Sequence, residues 1–222
     1  HWVLLLAVRI EFHSVGVCRE MVLLGGADGN IYSLQATATE INPRNCLRWT
    51  VGSNNASLES ATSKQNPVYS ISRALLDKHH PEQELVIGAR KDGSVSIWRI
   101  TGERHECIQS WILHRGTSGI ELAAPTANDV KLARVGIRSA AMRVALSQFR
   151  VLLGSEECDI VEFTVSSTQA FPATPNTIPI VETLMCGHFK DELWGLAMHP
   201  TLSKFCTVGD DRTLRIWDLQ SR

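Results

Sequence analysis

The chain has 222 residues, 22 basic and 23 acidic, for a net charge of −1. That balance carries no global signature of a nucleic-acid binder or of a partner for strongly acidic surfaces. At 44% hydrophobic residues the chain has enough apolar side chain for an ordinary folded core, and its length suits one domain.

The elements follow in chain order. The opening HWVLLLAVRIEF is too short an apolar run to span a bilayer and is broken by Arg9 and Glu11. It predicts a strand over Val3 to Ile10. VLLGGADGNIYSL then predicts a hairpin turning at Asp28-Gly29, because glycine accepts the positive φ that tight hairpin turns need. An outer strand is expected over Asn45 to Val51, with Trp49 on it. The Ser- and Asn-rich stretch Gly52 to Gln65 reads as a loop, and its Asn55-Ala56-Ser57 triplet matches a glycosylation acceptor, which means little if the chain is cytosolic. The next set repeats the design: a strand over Val68 to Arg73, a hairpin turning at Asp92-Gly93 in LVIGARKDGSVSIWRI, and an outer strand over Glu106 to Leu113 carrying Trp111. A third set has a strand over Leu132 to Ala140, the hairpin VLLGSEECDIVEF and an outer strand over Pro179 to Met185. The Pro-bearing stretch Ser166 to Thr177 links strands within it. The last set is Leu193 to Met198, Phe205 to Val208 and Leu214 to Trp217.

One spacing unites the four sets. A turn acid stands six residues before a large apolar residue: Asp28 before Leu34, Asp92 before Trp98, Glu157 before Phe163, Asp211 before Trp217. Four hairpins of one design point to a radial repeat. The last, from Gly187 to Asp218, reads as one complete WD repeat, the unit of a β-propeller blade. It opens on Gly187-His188 and closes on Trp217-Asp218. In such a repeat the Trp217 indole donates to the Thr207 hydroxyl, the hydroxyl to His188, and the other ring nitrogen of His188 to Asp211, so each buried polar group has a partner. A hydrolase triad is the competing reading of those residue types, but the spacing suits a blade clasp. The other three sets have Leu24, Gly88 and Leu153 where Thr207 stands, and are degenerate repeats.

The expected fold is therefore all-β: a WD-repeat β-propeller of about four blades, an incomplete ring. Blade bounds fall near 1–51, 67–113, 131–185 and 187–222, the last truncated. A first residue of His and a last blade without an outer strand are read as marks of a fragment. An open arc exposes blade faces and edges, so marginal stability is expected.

Chemistry-bearing residues are sparse. The six cysteines are scattered, without a Cys-x-x-Cys pair, and read as reduced thiols in strands. His105, Cys107 and His114 do not form a convincing zinc set. His79 and His80 fall in a polar loop. Phosphate loops, paired catalytic carboxylates and nucleophile elbows are not visible, so no cofactor and no catalytic residue is expected. Lys131, Arg134, Arg138, Arg143 and Arg150 form a stretch without acids, a candidate basic surface around Arg134 and Arg138. Asp191 and Glu192 lie in the loop entering the last inner strand, a candidate partner surface. Trp194 and Leu196 alternate with Gly195 and Ala197 along that strand, a pattern that reads as core packing for Trp194.

The stretch Asp191-Glu192-Leu193-Trp194-Gly195-Leu196-Ala197 with His199-Pro200, then Phe205-Cys206-Thr207-Val208 through Asp210-Asp211-Arg212-Thr213-Leu214-Arg215-Ile216-Trp217-Asp218, resembles a signature of the echinoderm microtubule-associated protein-like family. Ile137-Arg138-Ser139, Val151-Leu152-Leu153-Gly154 and Asp159-Ile160-Val161-Glu162 resemble the preceding blade, and Lys91-Asp92-Gly93 through Trp98 the one before. The likeness is specific over Leu85 to Arg222 and is nearest the long, multi-propeller members. It implies tandem propellers, a cytoplasmic and cytoskeletal location, and microtubules or tubulin as partner, without nucleic acid or membrane. A general WD-repeat adaptor for another assembly, ciliary or ubiquitin-ligase, is the alternative.

Overall fold

The computed structural model describes residues 11–18, 21–35, 46–47, 66–75, 83–101, 104–125, 132–145, 148–166, 178–188 and 192–220. Among them there is no helix. Sixteen strands form four antiparallel sheets, each ordered as it runs along the chain.

The first sheet is β1 (Phe12–Cys18), β2 (Met21–Gly26), β3 (Ile31–Gln35) and β4 (Cys46–Leu47). The second is β5 (Val68–Leu75), β6 (Gln83–Arg90), β7 (Ser94–Thr101), β8 (Arg104–Arg115) and β9 (Ile120–Ala123). The third is β10 (Ile137–Ala145), β11 (Gln148–Ser155), β12 (Asp159–Ser166) and β13 (Val181–Cys186). The fourth is β14 (Leu193–Met198), β15 (Lys204–Gly209) and β16 (Leu214–Asp218). These four meanders are the blades of an open WD-repeat propeller.

Local chemistry sets the hairpins. In each sheet the residue after the turn acid takes a positive φ: Gly29 and Gly93 at 85°, Cys158 at 63° and Arg212 at 60°. At Gly93 nothing larger fits, because a Cβ would lie 2.7 Å from the Val135 carbonyl oxygen and 2.8 Å from that of Leu113.

Three expectations change. The strand expected over Val3 to Ile10 lies outside the described residues, and the inner strand of the first sheet is Phe12–Cys18. Its pairing with β2 begins at Cys18↔Met21, so a short hairpin fixes the register. The inner strand of the third sheet begins at Ile137, later than the expected Leu132. The residues before it are engaged with the second sheet: the Arg115 N–H donates to the Ala133 carbonyl and the Val135 N–H to that of Leu113. The second sheet also has a fifth strand that the sequence reading missed. β9 pairs with the end of β8 from Arg115↔Ile120 to Ile112↔Ala123, and the Gly116 N–H closes the turn onto the Gly119 carbonyl at 2.7 Å. Trp49, the loop after it, His79 and His80 lie outside the described residues.

The core lies between blades. Leu23, Ile31 and Leu47 of the first sheet pack with Val68, Val86, Trp98 and Ile100 of the second. The opposite face of the second sheet, with Ile87, Ala89, Val95, Ile97 and Trp111, packs on Ile137, Phe149, Val151, Leu153 and Phe163 of the third. The Trp111 and Phe163 rings meet edge to face at 5.5 Å. Innermost strand β5 lies against β1 and β10, as spokes meet at a hub. Within the fourth sheet only Thr207 is fully buried, and Leu196, Met198, Leu214 and Ile216 are exposed.

Candidate functional site

The fourth sheet brings His188, Thr207, Asp211 and Trp217 together. His188 Nδ1 lies 2.9 Å from both carboxylate oxygens of Asp211, and Nε2 lies 2.7 Å from Thr207 Oγ1. Trp217 Nε1 donates to the same Thr207 oxygen at 2.7 Å. The chain of donors is self-consistent. Nδ1–H donates to the carboxylate, Nε2 accepts the threonine hydroxyl, and that oxygen accepts the indole N–H. Sheet register supplies the geometry: Thr207 opposes Arg215, and Phe205 opposes Trp217 and stacks on its ring at 6.0 Å.

Asp211 is the anchor. Its side chain has no accessible surface, and it also accepts from the Thr213 N–H (3.0 Å), the Thr213 hydroxyl (2.9 Å) and Arg215 Nη2 (3.1 Å). Burial pushes its pKa up, but the bonds from His188 and Thr213 and the nearby imidazole outweigh it. The carboxyl is held well below the usual range. A hydrolase would need the threonine oxygen open to a substrate. Here Thr207 is 5% exposed, and its oxygen is committed to Trp217 and His188.

The other sheets fill the same place with packing. In the second sheet Gly88 stands where Thr207 does. A Cβ there would lie 2.6 Å from Ile31 Cδ1 and 2.9 Å from Trp98 Cζ3. The Trp98 ring is pressed onto bare backbone, so a hydroxyl there has no room.

The candidate surface residues divide. Arg134 Nη1 pairs with Asp92 Oδ2 at 3.1 Å, and Arg138 Nε with Glu156 Oε1 at 3.4 Å. Arg150 pairs with Glu162, and Lys131 lies outside the described residues. The basic stretch is thus largely spent on ion pairs. Asp191 also lies outside the described residues. Glu192 is exposed, and its backbone N–H donates to Asp210 Oδ2 at 3.0 Å. Trp194, expected in the core, is 68% exposed, and its indole donates to Asp210 Oδ1 at 2.6 Å. A β-bulge between Leu193 and Gly195 makes it the extra residue of its strand and breaks the simple alternation.

Sequence reasoning missed the clasps between blades. Arg115 joins the end of β8 to Glu157 and, at 3.4 Å, to Asp159 of the third sheet. The bond to Glu157 and both carboxylates hold its guanidinium above its usual pKa against burial. Arg90 donates to the Gly29 carbonyl of the first sheet. Burial lowers its pKa to about 10, although Asp92 and Asp28 oppose the shift. Arg215 donates to the Cys186 carbonyl of the third sheet. These arginines sit at sheet ends, and no motif spacing marks them. Among the described residues no three His, Cys, Asp or Glu side chains converge as a metal site, and no helix is long and apolar enough to cross a membrane.

Comparison with known proteins adds the following. Residues 180–218 match the family WD domain, G-beta repeat. A 35-residue segment is 54% identical to echinoderm microtubule-associated protein-like 3 of Homo sapiens, covering 16% of this chain and 4% of that protein. Among solved structures, the β-propeller domain of Cps50 (Swd1) from Myceliophteria thermophila is similar at 11% identity. It covers 94% of this chain and 52% of that one, with a TM-score of 0.43. The WD40 β-propeller domain of Doa1 is similar at 14% identity over 94% of this chain and 50% of that one, with a TM-score of 0.35. The chain thus spans about half of those two structures, and the matched segment a small part of the human protein. The class defined is an all-β WD-repeat propeller, a fold that serves as a protein-interaction scaffold.

Proposed function

We propose that this chain is a non-catalytic scaffold of the cytoplasmic, microtubule-associated kind, holding protein partners on propeller faces. The observation that carries the microtubule part is the 54% identity over 35 residues to echinoderm microtubule-associated protein-like 3. The scaffold part is supported by the relay, whose polar groups are consumed in holding the blade together. Partner contact then rests on surface anchors displayed by rigid strands.

Co-pelleting of the folded chain with microtubules across a salt series tests this. The reading expects pelleting that weakens as salt rises. A folded chain that stays in the supernatant at low salt contradicts it. One observation favours a second reading, a WD-repeat adaptor for another protein assembly such as a ciliary or ubiquitin-ligase complex. Tubulin surfaces are acidic, whereas Arg134, Arg138 and Arg150 are already paired with carboxylates.

A further inference from the structure

Of the three junctions between successive sheets, two are closed and one is open. β5 lies against β1 on one side and β10 on the other, and an apolar core lies behind each contact. An inner-strand serine fastens both. Ser14 Oγ donates to the Val68 carbonyl at 2.7 Å, and the Ala140 N–H donates to Ser70 Oγ at 2.9 Å. Ser139 holds the same register place in the third sheet, opposite Gly154 as Ser14 is opposite Gly25. It is exposed, and among the described residues it makes no bond to the fourth sheet. No strand of the fourth sheet packs against the third as β5 does against β10. The two sheets are joined at their turn end, where the Gly187 N–H donates to the Cys158 carbonyl at 2.9 Å and Arg215 donates to the Cys186 carbonyl.

The surfaces at the open junction differ from those at the closed ones. Counted from the turn acid, Leu85, Ile87, Val95 and Ile97 of the second sheet become Arg150, Leu152, Ile160 and Glu162 in the third. The first four are buried against the third sheet. Of the second four, Leu152 is 41% exposed and Ile160 37%. Strand pairing gathers further charge on the same face. Arg143 stands directly opposite Arg150, and Glu182 directly opposite Glu162, so like charges share each row. Arg150 pairs with Glu162 across β11 and β12.

The fourth sheet has an apolar face to offer. Phe205 and Trp217 match Val86 and Trp98, which pack on the preceding sheet. Phe205 and Trp217 are only half-buried, and Leu196 and Met198 beside them are exposed. Docking that face on the third sheet would take four charged groups out of water and give them no new partner. One ion pair does not repay that cost.

We propose that the third and fourth sheets form a hinged junction, held open by Arg143, Arg150, Glu162 and Glu182, which closes when that charge is removed. The hinge is the turn end around Cys186 and Gly187. The fourth sheet moves about it as one body, because the relay from Trp217 to Asp211 keeps its shape without a neighbour. The device belongs to this chain alone and is independent of the microtubule reading.

The test labels the whole chain with 5-fluorotryptophan and follows the ¹⁹F resonances of Trp217 and Trp98, assigned through Trp217→Phe and Trp98→Phe. Relaxation by a soluble, neutral gadolinium chelate reads the exposure of each ring. In the unaltered chain Trp217 is relaxed several-fold more than Trp98. Arg150→Leu with Glu162→Ile gives the third sheet the side chains of the second, and relaxation of Trp217 falls several-fold toward that of Trp98. Arg150→Met with Glu162→Gln, which keeps side-chain shape should the first pair disturb folding, moves it the same way. Adding Leu196→Asp to either pair returns Trp217 to its original exposure. A Trp217 as shielded as Trp98 in the unaltered chain overturns the open junction. Unchanged relaxation of Trp217 in both charge-removed variants overturns the role of the cluster.

Discussion

Trp98 and Trp217 hold equivalent places, six residues after the turn acid of their sheets, and are secured by different physics. Trp98 is 1% exposed and lies on Gly88, with the aliphatic side chains of the first sheet around it. Trp217 is half-buried and is secured by a hydrogen bond to Thr207, which continues through His188 to Asp211. The second sheet is stabilised by its neighbours on both faces. The fourth has an internal clasp and leaves Leu196, Met198, Leu214 and Ile216 exposed. Where the polar relay is complete, the sheet's tryptophan is held from within; where it is absent, the tryptophan is held by contact across blades.

The largest expected effect breaks this comparison at its packing end. Trp98→Ala should destabilise the chain by about 3–5 kcal/mol in urea unfolding. Ile97→Ala, at 0% exposure, should cost about 2–4 kcal/mol. Ile216→Ala, at the equivalent place in the fourth sheet and 71% exposed, should change stability by less than about 0.5 kcal/mol. Equal costs for the two isoleucines would mean that the fourth sheet is buried after all.

Turn chemistry gives the next effect. Gly93→Ala should cost about 1–3 kcal/mol, because it combines positive φ with overlap onto two carbonyl oxygens. Arg212→Gly, at the matching position, should be neutral or slightly stabilising, since it relieves a side chain at φ 60°. Thr207→Val keeps the shape but leaves the Trp217 N–H without its acceptor and His188 Nε2 without its donor. It should cost about 1–3 kcal/mol, measured by thermal unfolding.

Acid separates the two sheets as well. The Asp211 carboxyl is depressed in the folded chain, so its contribution is complete above the unfolded value of about 3.9. It is lost as pH falls below that toward the lowered folded value. Fluorescence of Trp217, isolated by Trp→Phe changes at the other tryptophans, should therefore report loosening of the fourth sheet below pH about 4. That step should vanish in Asp211→Asn. The smallest effect is Arg134→Met, which removes a partly exposed ion pair to Asp92 and should cost about 0–1 kcal/mol.

Much of this comparison is legible in the residues. Period-two apolar runs, Asp-Gly turns and the six-residue spacing from turn acid to aromatic give the hairpins and the blade repeat, because those signals are local. The polar set of the fourth sheet is also visible, since each member has a fixed offset from Trp217. The start of β10 is not legible, because Ala133 to Val135 are claimed by the second sheet through contacts distant in sequence. The glycine turn from Gly116 to Gly119 and the short run that follows it mark β9, a strand beyond the four of a usual blade. The exposure of Trp194 was not legible. A bulge changes which face a residue takes, and only the pairing with β15 reveals it.

Hydrogen exchange of the whole chain, with and without Thr207→Val, tests the central contrast most directly. The account predicts strong protection across Val86 to Ile100 in both proteins. It predicts weaker protection across Phe205 to Trp217 that is largely lost in the variant. Loss of protection in both segments together, or retention in both, would contradict the claim that the fourth blade is held by its own relay and the second by its neighbours.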